Sequence, residues 1–164
     1  MKRIMRFLFT ALLAIAPLTA LAEPIKYIET YPSRVIDNRE IECLARNIYF
    51  ESRDQPIKGM LAVGFVTINR TKDSEFPPDI CGVVYQKGKN GCAFSWNCDH
   101  RKDVIEEHDV WNIIYFLART LYLDHDHMED PTHGALYFRS GVSPKTRFYR
   151  SVRIGDHVFY QERR

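Results

Sequence analysis

The chain contains 164 residues, with 23 Lys and Arg against 21 Asp and Glu and a formal net charge of +2. This positive excess is too small to indicate a nucleic-acid partner. Hydrophobic residues make up 45% of the chain and aromatic residues 13%, a composition that excludes a disordered tail, a collagen-like chain and a bundle of membrane helices. We therefore expect a folded globular domain.

The first 22 residues have the three parts of a secretory signal peptide. Three basic residues precede an apolar stretch over residues 7–16, and Ala20-Leu21-Ala22 forms a cleavage site of small residues. The apolar stretch is shorter than the about 20 residues that a transmembrane helix needs. We therefore predict an exported protein, periplasmic or extracellular, that is not inserted in a membrane after cleavage and has a net charge near −1.

Charge is unevenly distributed in the mature chain. Residues 23–133 contain 13 basic and 19 acidic side chains, whereas residues 134–164 contain seven basic and two acidic side chains. Two interpretations stay open. The basic segment contacts an anionic polymer, or it is a pair of solvated strands beside an acidic helical body.

All four cysteines lie in the mature chain, at Cys43, Cys81, Cys92 and Cys98. An even number in an exported protein favours two disulfides, for which three pairings exist. We favour Cys92–Cys98, which closes a small loop, together with Cys43–Cys81. A zinc site is the alternative, but the chain has no C-x-x-C pair.

Hydrophobic periodicity predicts three main helices after an N-terminal arm over residues 23–37. Asp37 and Glu40 form a plausible capping pair for the first helix, which ends near Arg53. The second helix runs from about residue 57 to residue 69, and small residues allow it to pack closely on the first. The third runs from about residue 110 to residue 123, and its inward side chains are predicted to be Val110, Ile113, Ile114, Leu117, Ala118 and Leu121.

Short strands complete an α+β pattern. Residues 83–86 and 93–96 flank a linker containing Asn90-Gly91, which is a hairpin signal. Residues 135–138 and 157–160 are predicted to be two further strands. Aromatic side chains in these segments offer stacking faces for sugar rings, although alternating aromatics in strands are also typical of a core.

Glu51 is the strongest catalytic candidate. It lies three residues after Ile48 and seven after Leu44, so it extends the apolar face of the first helix to a break in the chain. Poor solvation there favours the protonated carboxyl and raises its pKa, which suits the general acid of a glycosidase. From spacing alone, a helix-terminal Glu paired with Arg46 or Arg53 is the alternative.

Other polar residues are weaker candidates. Asp54 and Asp99 are the candidate second carboxylates of a hydrolase, and each is also typical of a cap or loop. Histidines and acids crowd residues 124–133, which are rich in metal-ligand types but lack the H-E-x-x-H spacing of a zinc protease. We predict no metal site and no cofactor.

Seven blocks occur in order from Cys43 to Tyr160, beginning with C-L-A-R-N-I-Y-F-E-S-R. The blocks are residues 43–53, 59–70, 76–77, 81–86, 94–99, 130–138 and 154–160. Together they resemble the cell-wall hydrolase family that includes the bacterial spore-cortex-lytic enzymes (SleB/CwlJ-like). The resemblance implies a compact lysozyme-like or lytic-transglycosylase-like domain over residues 38–164 that cleaves the glycan strands of peptidoglycan.

The resemblance also assigns residues. The catalytic acid of the family falls on Glu51, which can act as acid and then as base to give 1,6-anhydro-N-acetylmuramic acid ends. Lysozyme-type hydrolysis and a non-catalytic peptidoglycan-binding module stay as alternatives. The expected partner is peptidoglycan, and the protein is expected to be a monomer. The matched blocks suggest as substrate-binding residues Tyr49, Asn69, Ser95, Trp96, Tyr137 and His157.

The sequence departs from the family pattern at three places. The family's A-R-G-E is Ser52-Arg53-Asp54-Gln55 here, so its second acid is replaced by Gln55. The family's G-G before A-L-Y-F becomes His133-Gly134, and its His after Y-F becomes Arg139. Because Glu51 is retained, activity is still expected.

Overall fold

A computed structural model describes residues 36–89, 91–141 and 148–162. The predicted signal peptide and most of the predicted N-terminal arm lie outside the described residues. The described ranges contain four α-helices, and none of these is long and apolar enough to cross a bilayer. The helices are α1 (Asn38–Ser52), α2 (Ile57–Thr71), α3 (Ile80–Val84) and α4 (His108–Asp124).

The strands form two small antiparallel sheets. A two-stranded sheet pairs β1 (Lys87–Gly88) with β2 (Gly91–Cys92). A three-stranded sheet has the order β3-β5-β4, with β3 (Tyr137–Ser140), β4 (Phe148–Ile154) and β5 (His157–Glu162). In its register Tyr137 lies opposite Tyr160, and Ser140 lies opposite His157. The predicted α+β class is confirmed.

Helix α1 is the centre of the core, because it contacts α2, α3 and α4. Its predicted stripe of Ile41, Leu44, Ala45 and Ile48 is fully buried. Gly64 of α2 allows close approach: a Cβ atom there would meet the side chains of Leu121 and Ile48. The small residue therefore lets α2 contact both α1 and α4.

The start of α1 differs from the predicted capping pair. Asp37 caps the helix, accepting a hydrogen bond from the Arg39 backbone N–H at 2.9 Å. Glu40 does not complete the pair, because its carboxylate accepts from the backbone N–H groups of Ile80 (2.6 Å) and Cys81 (3.2 Å). Glu40 thus caps α3 across space, next to the disulfide Cys43–Cys81 that joins the same two helices.

The second disulfide joins Cys92 and Cys98, so both bonds have the pairing that the sequence favoured. Strands predicted over residues 83–86 and 93–96 are wrong. Val83 and Val84 of the first run end α3, which Asp79 caps by accepting from Gly82 N–H at 2.7 Å. The last two residues of the second run begin a 3₁₀ turn over Ser95–Cys98. The hairpin itself is present but is reduced to the residues around the Gly91 turn.

Two further corrections concern α4 and the C-terminal sheet. Ile113 was predicted to point inward, but it is 51% exposed, because only the face of α4 that carries Ile114, Ala118 and Leu121 meets the core. Strand β4 is not among the predicted strands. Its register on β5 has an irregularity between Tyr149 and Val152.

The basic C-terminal segment is only partly described. Arg139 on β3 and Arg153 on β4 are exposed. Lys145, Arg147, Arg163 and Arg164 lie outside the described residues. The described part thus has two basic side chains directed to solvent on neighbouring parts of one sheet.

Candidate active site

Glu51 lies in the last turn of α1 and lines a cleft of about 450 Å³. The end of α1 and the loop that follows it form one wall of the cleft. The other wall comes from the three-stranded sheet and the turn between β4 and β5. The lining residues are Phe50, Glu51, Arg53, Asp54, Gln55, Ser140, Asp156 and His157.

Burial raises the pKa of the Glu51 carboxyl from its ordinary value of 4.5 to about 7, although the positive charge of Arg70 acts in the opposite direction. Desolvation penalises the charged carboxylate, so the proton is retained at higher pH. The alternative of a solvated Glu paired with a neighbouring Arg of α1 is not what the structure shows, since Arg53 pairs with Glu107 at 2.7 Å and Arg46 donates to the Asp103 carbonyl at 3.0 Å.

Arg70, in the last turn of α2, supplies the cation near Glu51. It is only 6% exposed, and its Nε donates to the Leu136 carbonyl at 2.8 Å. Its guanidinium lies over three aromatic rings, with centroid distances of 5.1 Å to Phe76, 4.8 Å to Phe94 and 5.8 Å to Tyr137. These contacts hold a charged side chain in a mostly apolar setting.

Burial lowers the pKa of Arg70 to about 10, so the side chain stays cationic at neutral pH. Its Nη1 is buried and has no hydrogen-bond partner among the residues that the structure describes. Sequence reasoning included Arg70 in a matched block but assigned it no role. The signal that could have found it is an Arg in the last turn of a helix that is otherwise almost entirely apolar.

Of the two candidate second carboxylates, Asp54 shares the cleft with Glu51 and Asp99 does not. The Asp54 Oδ1 accepts a hydrogen bond from Gln55 Nε2 at 3.1 Å. Asp99 lies in a neighbouring cleft, where its Oδ1 accepts from the Arg101 backbone N–H at 2.9 Å. Of the two, only Asp54 therefore lines the same cleft as Glu51.

His157 is the one predicted substrate-binding residue that lines the same cleft as Glu51. Its ring meets Phe138 edge-on at 5.2 Å, and its buried Nδ1 has no partner within the described part of the chain. Burial lowers the pKa of His157, against the opposing charges of Asp54 and Asp156. Burial therefore favours the neutral form of the imidazole.

A second cleft, of about 300 Å³, adjoins the first, because Phe50 and Arg53 line both. Tyr49 and Trp96 lie in its wall, and the Trp96 ring stacks on Phe50 at 4.7 Å. The two clefts together form a groove that passes the end of α1, which we call the α1 groove. A groove of this kind suits an extended chain better than a single small molecule.

Two of the predicted substrate-binding residues, Tyr49 and Trp96, bind other parts of the protein through their polar atoms. The Tyr49 hydroxyl accepts from the Glu106 and Glu107 backbone N–H groups at 3.2 and 3.1 Å. Trp96 Nε1 donates to Asn47 Oδ1 at 3.0 Å. Both side chains therefore have their polar atoms occupied within the protein.

The remaining three residues lie elsewhere. Asn69 Nδ2 donates to Asp130 Oδ2 at 2.9 Å and to the Ala135 carbonyl at 3.2 Å, so the amide fixes the loop before β3. Tyr137 stacks on Tyr160 at 5.8 Å beside Arg70. Ser95 is exposed at the start of its 3₁₀ turn. None of these three lines the cleft that contains Glu51.

The histidine-rich region after α4 forms local contacts. His125 Nδ1 lies 2.9 Å from the Leu121 carbonyl, and its Nε2 lies 3.1 Å from Asp126 Oδ1. Within the described ranges, no group of three or more His, Cys, Asp or Glu side chains is arranged to hold a metal ion.

A profile of the Cell Wall Hydrolase family matches residues 54–160, which is well over half of the chain. The chain belongs to this family. The match begins three residues after Glu51 and includes Arg70, Asp54 and His157. The family resemblance predicted from the sequence is thereby confirmed.

Among curated relatives, the spore cortex-lytic enzymes of Halalkalibacterium halodurans and Bacillus subtilis are 27% identical over 132 residues and 28% identical over 126 residues. These alignments cover 78% and 74% of this chain but only 36% and 37% of the relatives. The chain thus spans little more than a third of the length of those two proteins.

Two solved structures share the fold. The catalytic domain of the Bacillus cereus SleB protein has a TM-score of 0.57 at 25% identity, covering 80% of this chain and 97% of that domain. The catalytic domain of the germination-specific lytic transglycosylase SleB from Bacillus anthracis has a TM-score of 0.54 at 25% identity, covering 78% and 98%. The likeness therefore extends over nearly the whole length of both solved domains.

Proposed function

We propose that this protein cleaves the glycan strands of peptidoglycan as a lytic transglycosylase, with Glu51 acting first as acid and then as base. The proposal rests on the Glu51 carboxyl, which has a pKa of about 7, lines the α1 groove and interacts with the positive charge of Arg70. Family membership supports the substrate class, and the likeness to a lytic transglycosylase domain supports the reaction type.

In the first step, protonated Glu51 donates its proton to the oxygen that links N-acetylmuramic acid to N-acetylglucosamine. The bond between that oxygen and the anomeric carbon breaks, and its electron pair stays with the departing oxygen. Positive charge develops on the muramic acid ring. A carboxyl with a pKa near the working pH is suited to this transfer because it is both protonated and acidic enough to donate.

In the second step, the Glu51 carboxylate takes a proton from the C6 hydroxyl of the same muramic acid. The C6 oxygen forms a bond to the anomeric carbon, which closes the 1,6-anhydro ring. The proton returns to Glu51 and no water is consumed. Arg70 stabilises the carboxylate between the two steps, because it remains positively charged and cannot move away from its aromatic contacts.

Lysozyme-type hydrolysis is the second candidate, and the position of Asp54 favours it. Asp54 lines the same cleft as Glu51, so its carboxylate is available to orient a water molecule or to stabilise the cationic sugar. In that reaction the product carries a reducing end instead of an anhydro ring. The two reactions therefore differ in a product that can be measured directly.

The deciding experiment is digestion of purified peptidoglycan by the wild type and by Glu51→Gln, with products identified by mass spectrometry. We expect anhydro ends from the wild type and a rate about 10²–10⁴-fold lower for Glu51→Gln, the usual contribution of a general acid. Asp54→Asn is the matched control, since it also removes one carboxylate from the cleft. It retains anhydro products if transglycosylation is correct.

The other outcomes are equally distinct. Reducing ends that disappear in Asp54→Asn would replace transglycosylation with hydrolysis. Full activity of Glu51→Gln would contradict both mechanisms. Binding of peptidoglycan without any product would indicate a binding module, and loss of activity with EDTA would indicate a metal-dependent reaction.

We further propose that the protein acts after export, in the periplasm or outside the cell. The predicted signal peptide supports this location, as do the two disulfides, which persist in oxidising compartments. Fusion of residues 1–22 to a periplasmic reporter tests it, and a reporter that stays in the cytoplasm would contradict it.

A further inference from the structure

Gln55 uses both ends of its side-chain amide on the wall of the Glu51 cleft. It is buried, at 8% exposure. Its Oε1 accepts from the Asp156 backbone N–H at 2.9 Å, while its Nε2 donates to Asp54 Oδ1 at 3.1 Å and to Asp156 Oδ2 at 3.2 Å. One amide thus joins the loop after α1 to a turn 101 residues later in the chain. We call these three hydrogen bonds the Gln55 clasp.

The turn between β4 and β5 is shaped to receive this amide. Gly155 has a φ of +58°, a conformation that favours glycine. A Cβ atom at position 155 would collide with the Gln55 Oε1 and approach Pro56 Cδ to 3.3 Å. The turn carries Asp156 and leads directly into His157, so the position of the clasp determines where this wall of the cleft lies.

The two carboxylates beside residue 55 favour an amide over a carboxylate at this position. Nε2 lies between the carboxylates of Asp54 and Asp156, and it donates to both. The other titratable or charged groups of the cleft are Glu51, Arg53 and His157. A carboxylate at position 55 would offer an acceptor where two acceptors already point, and like charges brought together at a partly buried position destabilise one another.

We propose that Gln55 is a positioning residue for glycan cleavage. Its amide holds the Asp54 carboxylate at the cleft and fixes the β4–β5 turn, so that His157 lies opposite Glu51 across the bound sugar. This role rests on the proposed function, because it concerns the same cleft. The role belongs to the amide and its two donor hydrogens, not to the size of the side chain.

The test compares Gln55→Glu, Asp156→Asn and the double variant with the wild type, measuring kcat/KM on soluble glycan strands well below the melting temperature. We expect Gln55→Glu to lower kcat/KM at least about tenfold at pH 7.5, since small displacements of a catalytic site are costly. Asp156→Asn alone stays within about threefold of the wild type, because its amide oxygen still accepts from Gln55. The double variant regains several fold over Gln55→Glu, because the amide introduced at position 156 donates to the carboxylate introduced at position 55.

The pH profile separates positioning from simple stabilisation. As pH falls from 7.5 to 5, the carboxylate introduced by Gln55→Glu gains a proton and becomes a donor again, so the ratio of Gln55→Glu to wild-type kcat/KM rises. Glu40→Ala is the matched control, because it removes a half-buried carboxylate that caps α3 away from the cleft. It lowers Tm but leaves kcat/KM of the folded protein unchanged.

Two results would overturn the proposal: wild-type kcat/KM for Gln55→Glu at every pH, or a folded double variant with no recovery. If the wild type itself releases no products, the proposed function fails, and the clasp is then judged from Tm alone. Non-additive Tm changes in the three variants support the clasp, and additive changes contradict it.

Discussion

Glu51 combines a hydrophobic environment with a cation that is itself held in place. Burial raises the pKa of its carboxyl, and Arg70 limits the rise. Its position in the last turn of α1, which carries no basic residue, adds the negative end of the helix dipole to the effects that favour the protonated form. Near neutral pH the Glu51 carboxyl is therefore partly protonated and partly ionised, so it can donate or accept a proton.

This ionisation predicts a specific pH dependence of stability. The folded pKa of Glu51, about 7, lies above its ordinary value of 4.5, so the folded state binds more protons in this window. The contribution is fully present below pH 4.5 and is lost as pH rises through 7. We expect Glu51→Gln to be more stable than the wild type by about 3 kcal/mol at pH 8 and nearly equal to it at pH 4, in urea denaturation.

The companion measurement is the rate of glycan cleavage, which falls as pH rises above 7 because the proton donor is lost. Asp54→Asn is the control for the pH dependence of stability and of cleavage rate, because it changes a more exposed carboxyl of the same cleft. A stability difference between wild type and Glu51→Gln that does not change with pH would contradict the raised pKa.

At the residue scale, the sequence predicted the raised pKa of Glu51 but not the roles of Arg70 and Gln55. Glu51 could be found because it continues an apolar helical stripe, which is a local pattern. Arg70 and Gln55 could not, since their roles depend on contacts with residues such as Leu136 and Asp156, which are 66 and 101 positions away. The predicted roles of Tyr49, Asn69 and Trp96 stay predictions, and their side chains act within the protein as supports.

Among the elements, α1 contacts three other helices and has the proposed catalytic carboxyl in its last turn. The Cys43–Cys81 disulfide and the Glu40 cap attach it to α3. The disulfide constrains the unfolded chain over a separation of 38 residues, whereas Cys92–Cys98 spans 6. Loop entropy therefore predicts that Cys43–Cys81 contributes more to the free energy of unfolding than Cys92–Cys98 does.

We expect Cys43→Ala/Cys81→Ala to lower the free energy of unfolding by about 4 kcal/mol and Cys92→Ala/Cys98→Ala by about 2 kcal/mol, from the loop lengths alone. Urea denaturation of the oxidised proteins measures both. The second variant is the control for removing two cysteines, and an equal loss in both would show that loop length does not set their effect.

Elements were predictable where their hydrophobic period was long and regular. The ends of α1 and α2 and the body of α4 follow the 3.6-residue pattern. The run over residues 80–84 is too short for periodicity to separate helix from strand, and the Asp79 cap decides it. Strand β4 depends on pairing with β5, which no local pattern shows.

In the whole molecule, the most prominent electrostatic feature is the difference between an acidic helical body and a basic C-terminal segment. Peptidoglycan stem peptides carry carboxylates, so exposed Arg139 and Arg153 are candidates for long-range attraction to the wall. Two exposed charges act through a screened field whose range is about 10 Å at 0.1 M salt. Their effect is therefore on binding and not on the chemical step.

We predict that Arg139→Gln/Arg153→Gln binds purified peptidoglycan about two- to fivefold more weakly than the wild type at 20 mM salt, and equally at 0.5 M salt. Sedimentation with insoluble walls measures the bound fraction. Arg119→Gln, an exposed change on α4, is the control and has little effect. Unchanged low-salt binding of the double variant would leave the segment as a solvated strand pair.

The two walls of the Glu51 cleft come from distant parts of the chain, residues 50–55 on one side and Ser140, Asp156 and His157 on the other. Synthesis proceeds from the N-terminus, so α1 can form and collapse on α2 long before the opposite wall exists. A nascent chain that has not reached residues 156 and 157 lacks two of the side chains that line the same cleft as Glu51. We therefore expect a C-terminally truncated chain to lack a complete cleft around the proposed catalytic acid, even where α1 has formed.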